Sequence, residues 1–133
     1  MSARVPVQSG LFDEGGGSPA LLGARCRRCG RTLFPRAGTC PYCSSGDTEP
    51  VRLPDTGALW GWTTVHTAPP GYAGPVPFGF GVVELTDGLR VITRLELGDG
   101  PEARFGLPMR LELVDLAVDD DGATIVTYAF APA

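Results

Sequence analysis

Beyond Val51 the chain alternates between apolar and polar positions. From Gly57 to Thr67, Ala58, Trp60, Trp62, Thr64 and His66 share one side of an extended segment, and Leu59, Thr63 and Val65 share the other. A two-residue period is that of a β-strand, whose successive side chains point to opposite faces. Phe78–Thr86 reads as a second strand and Leu89–Leu97 as a third. The third sets Leu89, Val91, Thr93, Leu95 and Leu97 against Arg90, Arg94 and Glu96. Asp87-Gly88 between these two strands signals a tight hairpin, because both residues tolerate positive φ. Met109–Val118 and Thr124–Phe130 form a further hairpin across Asp119-Asp120-Asp121-Gly122.

Five short strands leave hydrogen-bonding edges open unless they close, so a small five-stranded barrel of the OB type is expected. Gly57, Gly61, Gly79 and Gly81 suit the sharp coiling such a barrel needs. Trp60 and Trp62 are expected in its core. Gly98–Leu107 is too short and too rich in Gly and Pro for a good helix, so the helix customary between the third and fourth strands is missing or reduced.

The pattern before Val51 is different. Residues 1–20 read as a flexible lead, broken at Gly15-Gly16-Gly17-Ser18-Pro19, with any N-terminal helix short or absent. Leu11-Phe12 suits a short helical anchor or a partner contact. Residues 21–50 hold few large apolar side chains but all four cysteines of the chain, in two CxxC pairs: Cys26-Arg-Arg-Cys29 and Cys40-Pro-Tyr-Cys43, ten residues apart. Two intervening residues let both sulfurs of a pair turn to one point, and a hairpin brings the second pair round to complete a tetrahedron. Zn²⁺ suits four thiolates, and iron in a rubredoxin-like site is the competing ion. Gly30 follows Cys29 where a knuckle requires positive φ; Ser44 follows Cys43, so the second strained position is expected to move to Gly46. Residues 51–133 complete the division as the barrel.

Alternatives for the cysteines are disulfides or a redox CxxC. Met1–Gly10 has one Arg and no apolar run, so no secretory leader is expected. A reducing, cytoplasmic compartment follows, where disulfides are disfavoured. With 43% hydrophobic and 20% charged residues a real core can form. No apolar run is long enough for a membrane span. All eleven basic residues are arginine, which excludes lysine general bases and Schiff-base chemistry. The net charge is −4, yet Arg25, Arg27, Arg28, Arg31 and Arg36 crowd the cysteine segment. They offset a dianionic metal–thiolate centre, and they can also meet phosphates or an acidic partner.

The run Leu22-Gly-Ala-Arg-Cys-Arg-Arg-Cys-Gly30, then Phe34-Pro35-Arg36, Cys40-Pro-Tyr-Cys43 and Gly57-Ala-Leu-Trp-Gly-Trp-Thr-Thr-Val-His66, resembles a known family. Val82–Gly88 and Gly106–Met109 continue the likeness. It is the zinc-ribbon OB-fold family catalogued as domain of unknown function 35. The resemblance implies a mainly β chain, with a rubredoxin-like zinc ribbon followed by a five-stranded OB-type barrel. It also implies a non-catalytic subunit that binds a thiolase-fold enzyme and helps form or enclose its acyl-CoA site, as in acyl-CoA, polyketide, steroid or aromatic-acid metabolism. Family members commonly carry a longer amphipathic N-terminal helix, which Gly15–Ser18 interrupts here.

The residues are compatible with such a role. Four cysteines leave no spare donor for an open catalytic position, and nothing resembles a nucleophile elbow. The one histidine, His66, ends a strand, where a packed or surface role outweighs catalysis. No catalytic residue is assigned. The loop Ala68–Pro77 holds four prolines, which lower the entropic cost of ordering it against a partner. Tyr72 and Phe78 are candidate interface anchors, and Arg28, Arg31 and Arg36 candidate contacts to CoA phosphates or a partner. The other reading is a nucleic-acid-binding ribbon-plus-barrel protein, against which the acidic barrel counts.

Overall fold

A computed structural model describes residues 4–14, 18–70, 76–97 and 103–133. Ten strands run in order: β1 (Arg4–Pro6), β2 (Phe12–Asp13), β3 (Ala20–Cys26), β4 (Thr32–Leu33), β5 (Thr48–Arg52), β6 (Thr56–Val65), β7 (Phe78–Leu85), β8 (Arg90–Leu95), β9 (Pro108–Val118) and β10 (Thr124–Pro132). No helix occurs among the described residues, and none is therefore long and apolar enough to cross a membrane.

All five expected barrel strands form, as β6 to β10. Neighbours run β8-β7-β6-β9, with β10 pairing antiparallel to β9 and parallel to β8 to close the ring. Closure is thin on two sides. Between β8 and β10 just two residue pairs meet, Arg94–Ala129 and Leu95–Phe130. β6 meets β9 over Thr56–Ala58. The hairpin signals behave as read: Gly88 and Gly122 take φ of 90° and 80°. Asp119 Oδ1 accepts from the Asp121 and Ala123 backbone N–H groups, which fixes the second turn. Backbone comes closest at Gly81, where an added Cβ would lie 2.1 Å from the Gly61 carbonyl oxygen.

The inward faces pack Leu59, Val83, Leu85, Val91, Leu95, Met109, Val126 and Phe130 into one cluster. Trp60 and Trp62 are not in it; they are 41% and 44% exposed. A bulge shifts the register from Leu59–Val83 to Gly61–Val82, making Trp60 the extra residue. Leu59 turns into the core, so its neighbour Trp60 turns outward. Trp60 lies instead under the Arg90 guanidinium, 4.2 Å from its ring centre.

The N-terminal segment differs from the expected flexible lead. β1 adds to β10 in parallel, Arg4 opposite Thr124 and Pro6 opposite Val126. β2 pairs with β3, and Leu11 and Phe12 join the barrel cluster together with Leu21 and Leu53. Long-range pairing orders a segment whose local sequence favours no particular structure. Gly15–Gly17, the expected break, lies outside the described residues. β3, β4 and β5 form the small sheet that carries the cysteines.

Candidate metal centre and apolar groove

The two CxxC pairs sit on facing knuckles. The Gly30 N–H donates to the Cys26 carbonyl and the Ser44 N–H to the Cys40 carbonyl, each at 2.9 Å. Each bond closes a turn that swings the second sulfur of its pair toward the first. Gly30 has φ 77° as expected, but Ser44 itself takes φ 65° and Gly46 does not enter the left-handed region. The hydrogen bond to Cys40 comes from Ser44, so the strain stays there despite its Cβ.

All four sulfurs lie within 4.8 Å of one another. Cys26 and Cys43 Sγ are 3.5 Å apart, and Cys29 and Cys40 Sγ 3.7 Å. Thiolates held about 2.3 Å from one ion at tetrahedral corners stand about 3.8 Å apart, so the cage fits Zn²⁺. Hydrogen bonding from the Cys29 backbone N–H leads in lowering the Cys26 thiol to about 6. At Cys43 the Ser45 N–H acts to lower the value, but desolvation and contact with three other sulfurs push it up to about 11. Four crowded thiols resist complete ionisation, and a bound dication removes that resistance. With four sulfurs converging and no His or carboxylate among the clustered ligands, the centre is structural and closed. Its own core is small: Ala24, Cys26, Leu33 and Cys40.

The other candidate residues do not gather around the metal. Arg28 is exposed on the ribbon surface. The Arg31 guanidinium lies 4.7 Å from the Tyr42 ring centre and lines a shallow pocket with Asp87 and Leu89. Arg36 lines a separate pocket with Ala24 and Pro50. Tyr72 lies outside the described residues. His66 is exposed just past β6.

Phe78 borders the feature that sequence reasoning missed: a groove of about 560 Å³ between the ribbon and the outer face of β7 and β8. Phe80 and Ile92 line it from the barrel and Phe34 from the ribbon, and Val7, Leu11 and Leu116 add further apolar lining. Ile92 is 63% exposed. The Phe34 and Tyr128 rings meet edge-on at 5.6 Å, and the Tyr128 hydroxyl donates to the Ile92 carbonyl at 3.1 Å. Desolvation pushes the Tyr128 phenol up, which keeps it a donor. Arg94 sits over Phe78 at 5.0 Å and pairs with Glu96 at 2.7 Å. One signal was available: Ile92 is an apolar residue between Arg90 and Arg94 on the outward side of β8.

Comparison with known proteins agrees with both halves of this description. Residues 13–49 match the family profile "ChsH2, rubredoxin-like zinc ribbon domain", and residues 50–114 match "ChsH2, C-terminal OB-fold domain". A "DUF35 domain-containing scaffold protein" of Methanocaldococcus jannaschii is 29% identical over 112 residues, covering 83% of this chain and 78% of that one. The "Benzoylsuccinyl-CoA thiolase subunit BbsA" of Thauera aromatica is 32% identical over 117 residues, covering 86% and 78%. Among solved structures, a chain of the "Ltp2-ChsH2(DUF35) aldolase" superposes with a TM-score of 0.65 at 30% identity, covering 85% of this chain and 84% of that chain. A matching cysteine cage, barrel order and sequence similarity along most of its length place the chain in the ChsH2-type DUF35 family of zinc ribbons joined to OB-fold barrels.

Proposed function

We propose that this chain is a non-catalytic accessory subunit that binds a thiolase-fold enzyme and helps form or enclose its acyl-CoA site. The observation that carries the reading is the similarity, along most of the chain, to a protein named as a thiolase subunit. The geometry supports it. The four-cysteine cage is closed and offers no open coordination position, while the apolar groove offers a surface to another molecule. In this reading Zn²⁺ holds the ribbon rigid. Arg28, Arg31 and Arg36 are then available to the phosphates of CoA, and Tyr72 and Phe78 to the partner. The compartment is the cytoplasm, where thiolates stay reduced.

A nucleic-acid track is the weaker alternative. Arg27 is matched by Asp47 and Glu49, and Arg52 by Asp13, so part of the ribbon's positive charge is already used.

Co-expression with thiolase-fold proteins of the same organism tests the proposal. The expected result is a stoichiometric complex whose thiolase or aldolase turnover is lost when this chain is omitted. Thiolase-type turnover by the chain alone, or failure of every such protein to bind, overturns it.

A further inference from the structure

Each residue of an antiparallel strand turns its N–H and C=O to the same side, and neighbours alternate. The Glu96 N–H donates to the Phe130 carbonyl at 2.9 Å, so even-numbered residues of β8 face β10. β10 reaches β8 at Arg94 and Leu95 and no further back. Arg90 and Ile92 therefore turn their main-chain groups toward the groove, where none of the described strands pairs with them. Tyr128 caps the Ile92 carbonyl from the side. Across the groove β1 has already added itself to β10, ending with the Val7 N–H donating to the Val126 carbonyl at 2.8 Å.

Charge narrows the occupant. Arg90 is matched by Glu84 at 3.0 Å and Arg94 by Glu96 at 2.7 Å, so the rim presents balanced charge to a visitor. An anionic ligand gains little there. A neutral segment that brings its own N–H and C=O groups satisfies the β8 edge and covers the apolar walls at once.

Building on the accessory-subunit reading, we infer that the groove receives an extended, apolar strand of the partner enzyme. The strand adds to β8 at Arg90–Ile92 and sets alternate side chains against Phe80, Ile92 and Leu116. Its main-chain bonds give affinity, and the apolar pocket between the ribbon and β7 sets which side chains fit.

The test uses the zinc-loaded full chain with its co-expressed thiolase-fold partner. Amide exchange followed by NMR is expected to slow at least tenfold at Arg90 and Ile92 on complex formation. Ile92→Pro removes one donor without touching the β7 ladder, and is expected to weaken binding at least tenfold. Ile92→Lys keeps the donor at this exposed position but charges the groove, with the same expected loss; Val118→Lys, on a surface remote from β8 in the ladder, leaves binding unchanged. If Ile92→Pro does not fold, amide exchange and Ile92→Lys decide. A complex in which those two amides exchange as in the free chain overturns the strand addition and leaves the accessory role intact. Protection that instead rises with the concentration of this chain alone assigns the edge to a second copy and overturns it too. Absence of any thiolase-fold partner removes both readings together.

Discussion

Cys40→Ser isolates what the metal does for this fold. Cys40 is 1% exposed, and its Sγ stands 3.7 Å from that of Cys29. Structural zinc contributes about 10–16 kcal/mol in finger peptides, so an even share per thiolate is about 2.5–4 kcal/mol. That share corresponds to roughly two to three powers of ten in metal affinity. The ribbon has little to set against the loss, because Leu33 is its single large buried aliphatic side chain. Burying one such side chain is worth about 1.5–3 kcal/mol. The barrel core is separate and anchors the start of β3 through Leu21. The variant is therefore expected to lose its metal and to open locally while the barrel persists. Native mass spectrometry reads the metal, and amide exchange reads the opening. The Cys26 N–H, bonded to the Arg31 carbonyl at 2.9 Å, and the Arg27 N–H, bonded to Asp47 at 2.9 Å, should exchange rapidly. The Leu59 N–H, bonded to Leu107 at 2.8 Å inside the barrel, should stay protected. Stoichiometric metal together with unchanged protection at Cys26 would refute the reasoning.

Three further perturbations follow from the same geometry. Ser44→Gly relieves a left-handed backbone at φ 65° and is expected to raise ribbon stability by up to about 1 kcal/mol, whereas Gly30→Ala, at φ 77° with open space around it, should cost about the same; chelator-challenge kinetics compare them. Gly81→Ala places a Cβ 2.1 Å from the Gly61 carbonyl, so β6 and β7 must part and thermal unfolding should fall by about 1–3 kcal/mol or more; an unchanged melting temperature contradicts the close approach. His66→Ala is expected to leave turnover of the assembled complex unchanged, since the imidazole is exposed beyond the end of β6, and a large fall in kcat would give this chain a catalytic role.

Local information in the sequence determines much of this protein without any tertiary contact. Two CxxC pairs ten residues apart announce a four-thiolate cage, because the spacing within a pair and the hairpin between pairs are local constraints on where sulfurs can point. Period-two alternation and Asp87-Gly88 likewise announce strands and a hairpin, because pleat and turn are properties of a few consecutive residues. Tertiary structure decided the rest. Arg4–Pro6 becomes a strand because Thr124–Val126, at the far end of the chain, offers it an edge. Trp60 stays outside because Leu59, its neighbour in β6, is the residue that the packed barrel turns into its core. Val7, Phe34, Phe80, Ile92 and Leu116 come from four well-separated stretches and share nothing in sequence, so the groove they line exists only where the ribbon packs beside the barrel and β10 parts from β8.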